Sequence, residues 1–217
     1  MEQSSVLPEN IDELTAEYQR LWPLVPVLHA NIGKLAGKDA FKACAKRLGM
    51  LNKQGGKIGI HFEHEVEMDV FQDYLIYMYR PRGFSLVRQM LNRNRYPQGS
   101  DERMLLESMV QARFSLFWIR ELHPASGFVA LDVITGEDFF VLDQSIPHQG
   151  EVGLLIALRL YPFRNAWMHT GSSLILGLID DVADLHPLGC RFNEKEEREL
   201  NEKIVHRRRE IIREQEA

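Results

Sequence analysis

The stretch FVALDVITGEDFFVLD, residues 128–143, contains two apolar runs rich in β-branched and aromatic residues, separated by Thr135-Gly136-Glu137-Asp138. Gly136 can adopt the positive φ of a tight turn, so the stretch predicts a β-hairpin. Similar runs lie on both sides of it, at intervals of about ten residues: FSLFWIREL before it, and GLLIALRLY and NAWMHTGSSLILGL after it. We therefore predict a small antiparallel β barrel or sandwich of about five or six strands, within residues 113–180.

The part that precedes this β module, residues 1–112, shows mainly helical periodicity. Asn10 followed by Glu13 resembles a capping box, which predicts a helix start, and Pro23 predicts the end of that helix. The apolar spacing from Phe41 to Leu51 predicts a second helix, and Ser100 predicts the start of a later one. The fold class is therefore predicted to be α+β, with the helical half packed on the β module.

The stretch HFEHEVEMD, residues 61–69, fits both a strand and a helix. Every second residue from Ile58 to Val70 is apolar except His64, which is typical of a strand. Phe62, Val66 and Val70 also repeat every four residues, which is typical of a helix. Because a continuous strand would be long against the usual length of about 5–6 residues, we favour a strand over 57–62 followed by a helix over 63–79.

The histidines of this stretch raise the hypothesis of a metal site. On a helix, His61, His64 and Glu65 would share one face and could bind an ion, with Asp69 or Asp73 as a further ligand. The order of these residues matches no zinc-protease motif. Acids in the first turn of a helix are also favoured by the helix dipole, so a solvated helix start is the preferred explanation and the metal site the alternative.

A stretch without acids, between Asp73 and Asp101, is the candidate for nucleic-acid binding. Arginines interleaved with aromatic residues suit phosphates and stacked bases. The alternative explanation is structural: these arginines could pair with the acids that precede them and cap helix ends. The predicted interface consists of Arg80, Arg82, Arg88, Arg93, Arg95 and Tyr96.

The last part of the chain, residues 181–217, is predicted to be a linker followed by a charged helix that begins near Asn193. Sparse apolar residues, from Leu200 to Ile212, fall on one stripe of this helix. The stripe fits either a surface helix that docks on the domain or a helix that binds a protein partner or a second copy of the chain.

A set of motifs in the β module resembles a region of uncharacterised bacterial proteins that often end in a SEC-C zinc motif. The matching residues are Ser115-Leu116-Phe117, Leu131-Asp132, Thr135-Gly136-Glu137 and Arg159, within about residues 71–178. The resemblance implies the same architecture and a bacterial cytoplasmic setting. The SEC-C motif needs several cysteines, and only Cys190 stands near the C-terminus, so its zinc is not implied here.

Composition narrows the function classes further. The formal net charge is −5 and the two cysteines lie far apart, which indicates reduced thiols, a cytoplasmic location and no disulfide framework. The apolar runs are too short to span a bilayer, so no membrane partner is expected. Motifs for nucleotide binding and serine hydrolysis are absent from the sequence. We predict a binding or adaptor protein without a cofactor; the alternatives are a metal-dependent hydrolase and a structural oligomer.

Overall fold

The computed structural model describes residues 6–54, 57–180 and 185–216, and it confirms the α+β class. Helices occupy most of the chain up to residue 109 and return at its end. They are α1 Ile11–Leu21, α2 Leu24–Gly33, α3 Lys38–Arg47, α4 Val66–Tyr77, a 3-10 turn Pro81–Gly83, α5 Leu86–Asn92, α6 Asp101–Met109, the short α7 Ile146–Gln149 and α8 Glu194–Glu216. Across the described residues, each helix is too short or too polar to cross a membrane.

The helix starts follow the sequence, but their caps only partly do. The hydroxyl of Ser100 accepts a hydrogen bond from the backbone of Arg103, as expected of an N-cap. Helix α1 begins directly after Asn10, yet the predicted capping box does not form, because the Asn10 side chain accepts a hydrogen bond from Asn165 instead. A long-range partner has displaced the local one.

The predicted helix from Phe41 to Leu51 is too long. Helix α3 ends at Arg47, and Leu51 belongs to a short strand, β1 Leu51–Gln54, that pairs with β2 Lys57–Ile60. Gly49, with a φ of +67°, supplies the left-handed residue at this helix end. The composite prediction for the next segment is correct in kind, because a strand precedes a helix, but the two are separated by residues 61–65.

Five strands form the main sheet, and each pairs with two neighbours. They are β3 Arg113–His123, β4 Gly127–Asp132, β5 Asp138–Leu142, β6 Leu154–Phe163 and β7 Ala166–Leu178. The order β3-β4-β5-β7-β6 closes on itself through pairing of β3 with β6. The prediction of a purely antiparallel module is wrong at one place, where β5 and β7 pair in parallel. Helix α7 lies between β5 and β6, and β6 pairs with β3 and β7 but not with β5.

The hairpin predicted around Gly136 connects β4 to β5. Gly136 has a φ of +79°, and its N–H donates to the carbonyl of Asp132. The Asp132 carboxylate is fully buried and accepts hydrogen bonds from the Ser115 hydroxyl and the Ile134 backbone. The turn is therefore held by both glycine geometry and a buried carboxylate.

The described residues form two apolar cores. One fills the interior of the closed sheet and includes Phe117, Phe128 and Ile156. The larger core lies between the helices and the outer face of the sheet, and it reaches Val205 of α8. The boundary at residue 113 matches the start of β3, but the larger core joins elements from all three predicted parts, and their independence as domains stays a prediction.

Helix α8 is docked on the rest of the chain along its length. Val205 is buried, and the Arg209 side chain is only 5% exposed. It binds Glu67 in the first turn of α4 and Glu63 in the connection before α4. Most of the predicted apolar stripe thus packs within the chain, whereas Ile211 near the end of α8 is exposed.

Candidate functional site

A cavity of about 360 Å³ lies where α2 and α4 meet β7, and we call it the α2–α4–β7 cavity. Its polar walls come from three separate elements, and Trp22 and Pro26 form an apolar side. The polar residues are His29 on α2, Asp69, Gln72 and Asp73 on α4, and Thr170 and Ser172 on β7. The spacing of the three α4 residues places them on one helix face.

Asp73 of α4 connects the cavity wall to strands β6 and β7. Its side chain is buried, one carboxylate oxygen accepts from Nε of Arg159 at 2.9 Å, and the other accepts from the Thr170 hydroxyl at 2.7 Å. Because a buried carboxylate needs partners that offset its lost hydration, these two bonds fix the junction of α4, β6 and β7.

Arg159 lies behind the cavity and is 1% exposed. Its guanidinium carbon lies 4.9 Å from the centre of the Tyr77 ring and 5.5 Å from that of Phe114. Its Nη1 is 3.9 Å from a carboxylate oxygen of Glu197 on α8, and burial raises the pKa of Glu197. Arg159 therefore connects the sheet, α4 and α8 through charge and aromatic contact.

His29 stays neutral at the cavity wall. Its Nε2 lies 2.9 Å from the Tyr77 hydroxyl oxygen, and the side chain is buried. Burial lowers the pKa of His29 to about 4, against the opposing pull of the Asp73 charge. At neutral pH this imidazole offers hydrogen bonding and shape but no positive charge.

Asp69 differs from Asp73 in its surroundings. It is exposed, and it forms no ion pair among the residues that the structure describes. Trp22, directly after α1, also lines the cavity, and its ring centre lies 5.3 Å from that of His169. Gly171, with a φ of +94°, carries the β7 backbone past the Trp22 ring. The cavity thus combines a free carboxylate with an aromatic wall.

A His–Asp pair, His169 and Asp143, lies against the Trp22 ring. Nε2 of His169 lies 2.6 Å from the Asp143 carboxylate, and Nδ1 accepts from the Gly171 backbone, so the proton sits on Nε2. Burial alone would raise the pKa of Asp143, but the bonds from His169, the Ile146 backbone and Ser145 lower it overall. The Ser145 hydroxyl donates to Asp143 and not to His169, so the arrangement is not that of a nucleophilic triad.

The predicted arginine interface is only partly available. Arg80 is half-buried and lies 3.1 Å from Glu194 on α8. Arg88, Arg93 and Arg95 are exposed and form no ion pair within the described part of the chain. The Arg82 side chain lies outside the described residues.

The aromatic partner of that interface is also engaged. The Tyr96 hydroxyl accepts a hydrogen bond from Asn31, and the Arg95 guanidinium lies 6.0 Å from the Tyr96 ring centre. Phe84, by contrast, is 54% exposed.

The alternative metal site is not assembled. His61 and His64 are exposed in the connection between β2 and α4, and Glu65 is the residue before α4 begins. The predicted common helix face is therefore absent, because the helix starts later than expected. Across the described residues, no three histidine, cysteine or acidic side chains converge on a possible metal position. The nearby acids Glu63 and Glu67 bind Arg209 instead.

The chain belongs to a family of unknown function, DUF7986, whose model matches residues 12–177. The matched range includes every residue of the α2–α4–β7 cavity. Searches of curated proteins and of solved structures find no match.

Proposed function

We propose that this chain is a non-enzymatic binding protein and that a small polar molecule occupies the α2–α4–β7 cavity. The observation that carries the proposal is the cavity itself. Its volume of about 360 Å³ falls within the usual range for ligand pockets, about 300–1,000 Å³. Its polar groups sit on helices and a strand, which hold a site more firmly than loops do.

Binding is favoured over catalysis by the way the polar groups are used. Both oxygens of Asp73 are engaged by Arg159 and Thr170. His29 is turned towards the Tyr77 hydroxyl, which neither activates a nucleophile nor completes an acid–base pair. Such a network fixes the shape of a site and leaves little reactive capacity, so recognition is the function that the geometry favours.

Crystals soaked with a library of small polar fragments of positive, negative and zero charge would test the proposal. We expect fragments in the α2–α4–β7 cavity of the unmodified protein and none there in Ser172→Phe, where a ring fills the cavity. Gln111→Phe adds the same ring at an exposed position outside the cavity and serves as the control. Fragments found only at other sites would refute the proposal.

Nucleic acid is a second candidate ligand, bound on the surface formed by Arg88, Arg93 and Arg95. The exposure of these three arginines and of Phe84 supports it. For single-stranded RNA, Arg88→Ala and Arg93→Ala should each weaken binding and reduce the slope of log affinity against log salt by about 1. Arg120→Ala, whose arginine pairs with Asp138, is the control. Binding that is independent of salt would exclude this candidate.

The cytoplasmic setting and the relationship to bacterial SEC-C-associated proteins remain parts of this proposal. A protein partner or a second copy would contact α8 at its free end, where Ile211 is 39% exposed beside Ile175 on β7, which is 56% exposed. Ile211→Asp should then lower the assembled mass in light scattering, and an unchanged mass would exclude this contact.

A further inference from the structure

We infer that the ligand of the α2–α4–β7 cavity is a small organic cation, a quaternary ammonium compound with a short polar tail. The inference rests on the function proposed above and adds the chemical class of the ligand. It depends on three features of the cavity wall: its charge, the N–H groups at the start of α2 and its aromatic side.

The charge of the cavity wall is negative. The described residues that line it include Asp69 and Asp73 but neither lysine nor arginine. Arg159 offsets the charge of Asp73 from behind, at 2.9 Å. Asp69 has no such partner among the described residues, so its carboxylate leaves a net negative field that attracts a cation.

The start of α2 is also poorly suited to bind an anion at this wall. Free N–H groups at a helix N-terminus can bind an anion, and α2 begins at this cavity. Here the Val25 N–H already donates to the Trp22 carbonyl at 3.0 Å, and Pro26 has no N–H. His29, the remaining group that could carry positive charge, is neutral at pH 7 for the reason given above.

The aromatic side of the cavity suits an ammonium group. Trp22 is held by ring contacts with Tyr18 and His169, at centre distances of 5.5 and 5.3 Å. A tryptophan ring is the best aromatic partner for a cation, especially where water is partly excluded. Gln72 and Ser172 provide hydrogen bonds for the polar tail.

The experiment compares choline with 3,3-dimethyl-1-butanol, its neutral isostere, and with acetate. Binding is followed by NMR through the indole N–H signal of Trp22. The chain has three tryptophans, and the signal that disappears in the Trp22→Phe variant is the one that belongs to Trp22. We expect choline to bind at least about tenfold more tightly than the isostere, and acetate not to shift the signal. Asp69→Asn should weaken choline binding about tenfold. Trp22→Leu lacks the reporter signal, so its choline affinity is measured by titration calorimetry, and it should fall by a similar factor.

The matched control is Asp12→Asn, which removes the same charge from an exposed position about 15 Å along α1 from Trp22. It should leave choline affinity unchanged. Equal binding of choline and its isostere, or no effect of Asp69→Asn, would overturn the cation inference while the cavity remains a binding site. If none of the probes shifts the Trp22 signal and fragment soaks leave the cavity empty, the proposed function fails as well.

Discussion

The contact between α8 and α4 provides the sharpest test of how this fold is held together. Arg209 donates to Glu67 at 3.0 Å and to Glu63 at 2.7 Å, and the Arg209 and Glu67 side chains are 5% and 4% exposed. Arg209→Ala would leave a buried carboxylate without its cation. Removal of one partner of a buried ion pair costs about 3–5 kcal/mol, so we expect a loss of that size in the free energy of unfolding.

Arg213 offers a matched comparison one turn further along α8. It binds the same Glu63 oxygen at 2.6 Å, but its side chain is 60% exposed. Exposed ion pairs contribute about 0–1 kcal/mol, because water screens them and both side chains lose freedom. Arg213→Ala should therefore cost less than about 1 kcal/mol, although the distance is shorter.

Urea unfolding at neutral pH would measure both variants. For a chain of this length, about 2–4 °C is lost per kcal/mol, so Arg209→Ala should also lower the melting temperature by roughly 10 °C. Adding Glu67→Gln to Arg209→Ala should recover part of the loss, because the unpaired charge is gone. Equal losses for the two alanine variants would refute the reasoning that burial, and not distance, sets the contribution.

Three further outcomes follow from buried titratable groups. Asp73→Asn should lower the free energy of unfolding by about 3–5 kcal/mol in urea, because Arg159 loses its carboxylate partner; an unchanged midpoint would contradict this. Between about pH 6.5 and pH 4, His29 takes up a proton in the unfolded chain but not in the folded chain, because its pKa is lowered to about 4 by burial. The free energy of unfolding should therefore fall by up to about 3 kcal/mol over this range. His29→Gln should make the free energy of unfolding less dependent on pH there. Burial raises the pKa of Cys44 to about 12, whereas Cys190 is exposed, so a thiol reagent should label Cys190 rapidly and Cys44 only on unfolding; rapid labelling of both would contradict this.

Local features of the fold were predictable because they depend on neighbours in sequence. The Gly136 turn, the Ser100 cap and the strand-to-helix order after residue 57 all follow from side-chain chemistry within a few positions. The same reasoning failed where a distant group competed. Asn10 bonds Asn165 instead of capping α1, and β5 pairs in parallel with β7 because closure of the sheet demands it. Neither the Asn10–Asn165 bond nor the parallel pairing of β5 with β7 can be predicted from residues that are close in sequence.

The acids of the HFEHEVEMD stretch illustrate the same limit. A helix start explained them in part, since Glu67 lies in the first turn of α4. Arg209, the shared partner of Glu63 and Glu67, lies 142 residues away from Glu67 in a part of the sequence where charges of both signs alternate. Many pairings were equally compatible with that composition, and only the docking of α8 selects one.

The candidate site was missed for a related reason, but a signal for it exists. Asp73 interrupts the apolar run of α4, and Arg159 interrupts that of β6. An isolated charge inside an apolar run must be buried with a partner, so one acid and one base in two such runs predict a pair. Asp132, at the end of another apolar run, was an equally good partner for Arg159 and instead binds Arg113 at 2.8 Å. Whether Arg159 pairs with Asp73 or with Asp132 depends on how α4 crosses the sheet. The same crossing creates the cavity that brings Trp22, Asp73 and Thr170 together. These residues are far apart in sequence, so no contiguous motif could reveal the site.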